Sequence, residues 1–247
     1  MAGRRSVRIT PVHRSLPRDN IFSSISQLSS VRPSRSQSAN IPIFGIVGGV
    51  GAGKSSIIRN IATLKLHVID ADQIGHQQIA TASILEQIVT SFGNGILDSQ
   101  GNISRPLLAA EAFGESPEQI IKRTQLNAIV HPAIRVEIQR QIQSVPEDVD
   151  AIILDAALLL EAGWDVECDA VIFVDTPLEQ RQQRVARNRN WTIDEHYRRE
   201  ASQWCLDEKR SHSQFTVDNS GTLESASKQM ESVLQEAIRQ FKNSQSE

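Results

Sequence analysis

Apolar residues gather into five short runs along an otherwise polar chain. They are residues 41–47 (IPIFGIV), 66–69 (LHVI), 151–154 (AIIL), 170–174 (AVIFV) and 215–217 (FTV). Each is too short for a helix, and most are apolar at nearly every position. Such runs suit strands covered on both faces, as in a parallel sheet. Between them the apolar spacing switches to three and four. Ile57, Ile58, Ile61 and Leu64 predict a helix over 55–64, and Ile84, Leu85, Ile88, Val89 and Phe92 one over 83–92. Residues 98–102 read as a turn and 105–113 as a short helix. Pro117, followed by Glu118, opens a longer helix at a first-turn position. Pro132 has no N–H and crowds a helix interior, so a new helix is expected to start there and run to about 143. Residues 177–189 and 192–210 read as two polar helices. Leu223, Ala226, Met230, Val233, Leu234, Ala237 and Phe241 mark a final amphipathic helix over 222–241.

Short strands alternating with helices predict an α/β fold, a five-stranded parallel sheet with helices on both faces. Two mainly helical regions, 73–145 and 177–212, are too long to be simple crossovers. They read as insertions over the carboxyl ends of the strands, where ligands bind in such sheets.

Composition narrows the picture. The 247 residues, 39% hydrophobic and 22% charged, fit one globular domain with insertions, or two at most. No apolar stretch reaches the roughly 18 residues of a membrane span. Cys168 and Cys205 lie far apart with no metal-ligand spacing, which disfavours a disulfide scaffold or a zinc site and fits a reducing, cytoplasmic setting. The net charge of -3 conceals an asymmetry. Residues 1–40 hold seven Arg, ten Ser and a single acid, Asp19. The remaining 19 basic and 28 acidic side chains leave residues 41–247 at -9. An acidic body argues against a nucleic-acid surface, so any phosphate site is a local basic focus. Residues 1–40 read as a disordered extension. Their composition is also that of an organelle transit peptide, and a start codon placed too early would give the same pattern.

The first strand leads into Gly48-Gly49-Val50-Gly51-Ala52-Gly53-Lys54-Ser55, which matches G-x-x-x-x-G-K-[ST] at every fixed position and precedes a predicted helix. Such a loop cradles a polyphosphate because absent side chains let backbone N–H groups converge on it, and the helix start adds unpaired N–H groups. Gly49, Gly51, Ala52, Gly53, Lys54, Ser55 and Ser56 are the candidate ATP-binding residues. Lys54 reaches the β- and γ-phosphates, and Ser55 offers its hydroxyl to Mg²⁺.

A phosphate loop alone does not separate kinases, GTPases and motor ATPases. Asp70 and Asp72 leave the tip of the second strand. One is expected to face an acceptor alcohol as a base (Asp72), the other to cap the next helix (Asp70). Asp155, after the third strand, either helps hold Mg²⁺ through water or is an ordinary solvated strand end. Arg181, Arg184, Arg187 and Arg189 lie at near-helical spacing and suit bidentate phosphate contact, in a lid or on a solvated face. Arg105 and His131 are by themselves unremarkable, and His-Pro fits a helix boundary. No Asn-Lys-x-Asp stretch for guanine is present.

The order of these stretches resembles the dephospho-CoA kinase family over residues 43–240. The resemblance rests on GIVGGVGAGKSS, VIDADQIGHQ, FGNGILDSQGNISRPLL, the His131-Pro132 pair, LLLEAGWD and VDNSG. It implies a three-layer P-loop kinase fold within 41–247, with a substrate-binding helical insertion over about 73–145 and a lid over about 177–212. It also implies ATP- and Mg²⁺-dependent phosphorylation of the ribose 3′-hydroxyl of dephospho-coenzyme A by a monomer or weak homo-oligomer. Asp72 then becomes the catalytic base, and Arg105 and His131 fall on the substrate side. Two departures stand out. Ala157 occupies a position where the family usually has Pro, and Leu160 one where it has Phe. The family's lid arginines are usually four apart, whereas Arg184, Arg187 and Arg189 are three and two apart, so Arg187 is only the favoured partner of the γ-phosphate. Another small-molecule kinase of nucleoside or shikimate type, or a non-catalytic nucleotide switch, are the alternative expectations. A silent relative would be expected to lose Asp72 or Lys54, and both are present.

Overall fold

The computed structural model describes residues 41–245 apart from residue 115. The expectation of a disordered extension over residues 1–40 lies outside the described residues. Five strands form one sheet: β1 (Ile43–Gly48), β2 (Leu66–Asp70), β3 (Ala151–Asp155), β4 (Ala170–Asp175) and β5 (Phe215–Asp218). All pairings are parallel, in the order β2-β3-β1-β4-β5. All five apolar runs became strands. Four of them extend one or more residues further than their apolar run, to end on aspartate: Asp70, Asp155, Asp175 and Asp218.

Side chains along the inner strands alternate between two cores, as a pleated sheet requires. Phe44, Ile46, Ala151, Ile153, Ile172 and Val174 face helices α1 (Lys54–Arg59) and, at the chain end, Leu223–Ser244. Ile43, Val47, Ile152, Leu154, Val171 and Phe173 face the opposite core. That second core is shared with α2 (Ala71–Ile79), α3 (Ala82–Phe92), α4 (Arg105–Ala112) and α5 (Pro117–Gln143). Helices therefore cover both faces of a parallel sheet. The polar region after β4 folds into α6 (Leu178–Arg189), α7 (Ile193–Ala201) and α8 (Leu206–Ser211), and α9 is the final helix, Leu223–Ser244.

Three elements differ from the sequence expectation. Helix α1 stops at Arg59 rather than 64: its end tightens, the Asn60 N–H donating to the Ile57 carbonyl at 3.1 Å and the Ile61 N–H to the Ile58 carbonyl at 3.2 Å. Pro132 does not start a helix but sits inside the continuous 27-residue α5. Leu126, Val130, Ile134, Ile138 and Ile142 form one buried stripe that runs straight past it. Burying each such side chain is worth about 1.5–3 kcal/mol, which together outweighs the cost of about 3 kcal/mol for an interior proline. The helix expected over 192–210 is split. Glu161 accepts the Trp204 N–H at 2.6 Å, an amide that a continuous helix would have used internally. A new start follows, where the Glu208 carboxylate accepts the Cys205 N–H at 3.2 Å.

Candidate active site

The glycine loop passes from β1 to α1. Gly53 caps α1 in the left-handed region at φ 84°, so Lys54 and Ser55 are the first two helical residues. Behind the loop lies α6. A Cβ on Gly49 would come within 2.6 Å of Arg181 Nη1, and one on Gly51 within 2.6 Å of the Arg181 carbonyl oxygen. The loop glycines thus admit α6 on one side, while Ser55 and Ser56 at the start of α1 stay open to solvent.

Three side chains donate to one carbonyl of this loop. Thr176 Oγ1 and Arg184 Nη1 each reach the Ala52 oxygen at 3.0 Å, and Asn219 Nδ2 reaches it at 2.7 Å. Helix α7 holds the neighbouring peptide at both ends. His196 Nε2 donates to the Val50 carbonyl at 3.0 Å, and the Val50 N–H donates to Glu200 Oε1 at 3.3 Å. Glu200 is ion-paired with the buried Arg181, whose Nε–H also donates to the Thr176 carbonyl at 3.0 Å.

On the open side stand three carboxylates. Ser55 Oγ donates to Asp155 Oδ2 at 2.5 Å. Asp155 and Asp70 are Cα partners at the ends of β3 and β2. Asp70 Oδ1 accepts the Gln73 N–H at 2.8 Å and so caps α2. Asp72, in the first turn of α2, keeps a face open to solvent. Burial pushes its carboxyl above the usual range. The Ala157 backbone N–H and the Lys54 ammonium pull it back down, and the charges of Asp70 and Asp155 push it up. Lys54, Ser55, Asp70, Asp72 and Asp155 therefore form one electrostatic unit.

The other sequence candidates lie apart from it. Arg105 is exposed at the start of α4. His131, on α5, packs edge-on against Trp164 with ring centroids 5.4 Å apart, and burial lowers its pKa. Trp164 ends the loop that follows β3, so His131 meets the same loop that carries Ala157 and Glu161. The lid arginines split into two kinds. Arg181 and Arg184 are committed to the phosphate loop, whereas Arg187 and Arg189 are exposed, Arg189 lying 4.8 Å over the Trp191 ring. Arg187 makes no hydrogen bond or ion pair among the described residues. The roles of His196, Glu200 and Thr176 in shaping the loop rest on no motif. Only the four-residue spacing of His196 and Glu200, which places both on one face of α7, hinted at a shared target.

The donor set on the open side, hydroxyl and carboxylate oxygens only, suits a hard cation. Among the described residues no three His, Cys, Asp or Glu side chains form a protein-only cage.

A phosphate loop leading into the first helix of a β2-β3-β1-β4-β5 parallel sheet, with acids at the tips of β2 and β3, defines a P-loop protein of the small-molecule kinase type. The dephospho-CoA kinase family model matches residues 42–225, and the chain belongs to that family. It is 36% identical over 182 residues to the dephospho-CoA kinase of Corynebacterium diphtheriae, covering 73% of this chain and 89% of that one. The Symbiobacterium thermophilum dephospho-CoA kinase is 34% identical over 193 residues, covering 77% and 79%. Among solved structures, TT1252 from Thermus thermophilus aligns with a TM-score of 0.66 at 27% identity, over 79% of this chain and 97% of that one. Dephospho-CoA kinase from Campylobacter jejuni shares the fold, with a TM-score of 0.52 at 24% identity over 80% and 98%.

Proposed function

We propose that this chain transfers the γ-phosphoryl group of ATP to the ribose 3′-hydroxyl of dephospho-coenzyme A, giving coenzyme A and ADP. The observation that carries the reading is the place of Asp72, beside Lys54 and at the tip of the strand next to the Ser55–Asp155 pair. A carboxylate there takes the proton of an alcohol as the alcohol attacks the terminal phosphate. Its raised pKa makes it a stronger base than a free aspartate. The loop, from Gly49 to Ser56, binds the triphosphate, and Lys54 bridges its β- and γ-phosphates. Ser55, with Asp155 directly or through water, would hold Mg²⁺, which when bound neutralises charge on the transferring phosphate.

The helical region 73–145 receives the acceptor, with Arg105 offering a cation and His131 a neutral ring. Within 177–212, Arg184 braces the loop and Arg187, uncommitted and exposed, reaches the transferred group. Both cysteines lack a disulfide partner, which agrees with a reducing, cytoplasmic setting. No helix among the described residues is long and apolar enough to cross a membrane.

ADP release measured with dephospho-coenzyme A, a nucleoside panel and shikimate as acceptors tests the reading. Turnover confined to dephospho-coenzyme A supports it, and turnover with another acceptor alone replaces it with a different kinase.

A further inference from the structure

The Val50 carbonyl accepts from His196 Nε2 at 3.0 Å, and the Val50 N–H donates to Glu200 Oε1 at 3.3 Å. Both partners lie on α7, outside the glycine motif. Every peptide bond among the described residues is trans. In a trans peptide the C=O and the N–H that follows it point in opposite directions. A Val50 carbonyl held on α7 therefore turns the Gly51 N–H away from α7. The Ala52 carbonyl, held by Thr176, Arg184 and Asn219, turns the Gly53 N–H away from those groups in the same way. Neither the Gly51 nor the Gly53 N–H has an acceptor among the described residues, whereas the Ala52 N–H between them donates to the Gly49 carbonyl at 3.0 Å. Backbone donors need a partner, and two free ones just before Lys54 suit an anion.

His196 is 0% exposed, and its other ring nitrogen, Nδ1, is buried with no partner. An unpaired buried nitrogen is costly, so packing alone would favour an apolar ring here. What the imidazole supplies and an apolar ring cannot is the Nε2–H on the Val50 carbonyl. We propose that His196 is a positioning residue for the nucleotide's phosphates. It acts through the Val50 carbonyl, which it holds so that the Gly51 N–H is presented to the arriving anion. Glu200 fixes the peptide on the other side of Val50 and is itself held by Arg181. The proposal rests on the reading of the glycine loop as an ATP site. It makes α7 part of phosphate recognition without any contact to the phosphate.

The test compares amides of different reach. The side-chain nitrogen of Gln lies as many bonds from the backbone as His Nε2, and that of Asn only as many as His Nδ1. H196Q thus keeps a donor at the carbonyl, whereas H196N loses it, as does H196F, a ring with no N–H. None of the three leaves a buried charge unpaired. Mg-ATP affinity, steady-state kinetics and the Tm without ligand are measured on the full-length chain. H196N and H196F are expected to bind Mg-ATP about tenfold more weakly, the scale of one hydrogen bond to a charged group. Their KM for dephospho-coenzyme A is unchanged, and H196Q recovers most of the affinity. Variants that melt lower yet bind Mg-ATP as the wild type does would make His196 structural and overturn the proposal. Equal losses of affinity in H196Q and the two donor-free variants overturn it as well. A wild-type chain that does not bind Mg-ATP removes the ATP site itself, an outcome read before any variant is compared.

Discussion

Ser55 and Asp155 lie 100 positions apart in the chain, yet the Ser55 hydroxyl donates to the Asp155 carboxylate at 2.5 Å. The bond joins the first turn after the glycine loop to the tip of β3, and both partners offer oxygen to a hard cation. D155N keeps the shape of the contact but loses the charge. It is expected to raise the Mg²⁺ concentration needed for half-maximal turnover about 10–100-fold. Metal titrations of the variant and wild type check this, and an unchanged half-saturation would confine Asp155 to a structural role.

Asp72 has a raised pKa, with burial the main cause. A carboxylate raised in the folded state adds stability below its unfolded pKa and loses that contribution as pH rises through the folded value. At neutral pH the ionised group therefore weighs against folding. D72N is expected to raise the Tm of the unliganded protein at pH 7, by an amount that vanishes in acid. It should keep ATP binding and lose turnover about 10²–10⁴-fold. Near-normal turnover would remove Asp72 from the reaction.

The Ala157 N–H holds the Asp72 carboxyl down. A157P removes that donor, since proline has no N–H. The acid limb of the pH profile of kcat/KM is expected to move to higher pH in A157P, with little change in the KM for ATP. A profile that coincides with wild type would show that the amide does not tune the base.

Arg184 and Arg187 are separable by kinetics. Arg184 donates to the Ala52 carbonyl, so R184A is expected to raise the KM for ATP more than it lowers kcat. R187A is expected to lower kcat roughly 10³-fold, the scale of a transition-state arginine. The reverse pattern would exchange the two roles.

His131 is held against Trp164 with its pKa lowered by burial. Its neutral form is favoured in the folded state, so acidification charges the unfolded chain first. Stability is expected to fall as pH drops below about 6.5, the ordinary imidazole value, and H131N should flatten that fall. Parallel melting curves of the two proteins between pH 7.5 and 5, a window set around that same value, would show the ring to be irrelevant to acid sensitivity.

The sheet was legible because strands buried on both faces are apolar at nearly every position. The glycine loop was legible because its residue types follow from phosphate chemistry. Asp70 as a cap followed from strand-end logic, and the cap is observed. Pro132 misled because local backbone cost spoke against a continuous helix, whereas the stripe from Leu126 to Ile142 supplied a larger tertiary gain. The α6–α8 region was the least legible. Its polar residues look alike in sequence, and only packing separates the buried Arg181, His196 and Lys209 from the exposed Arg187. A charge that pairs with a distant backbone amide leaves no periodic trace.

The carbonyl of Ala52 is gripped by Thr176, Arg184 and Asn219, the last of them 167 positions downstream. A chain emerging from the ribosome therefore carries the complete glycine motif long before it holds the groups that give the motif its shape. The grip is finished only after β5 has docked on the far side of β4 and brought Asn219 back to the loop.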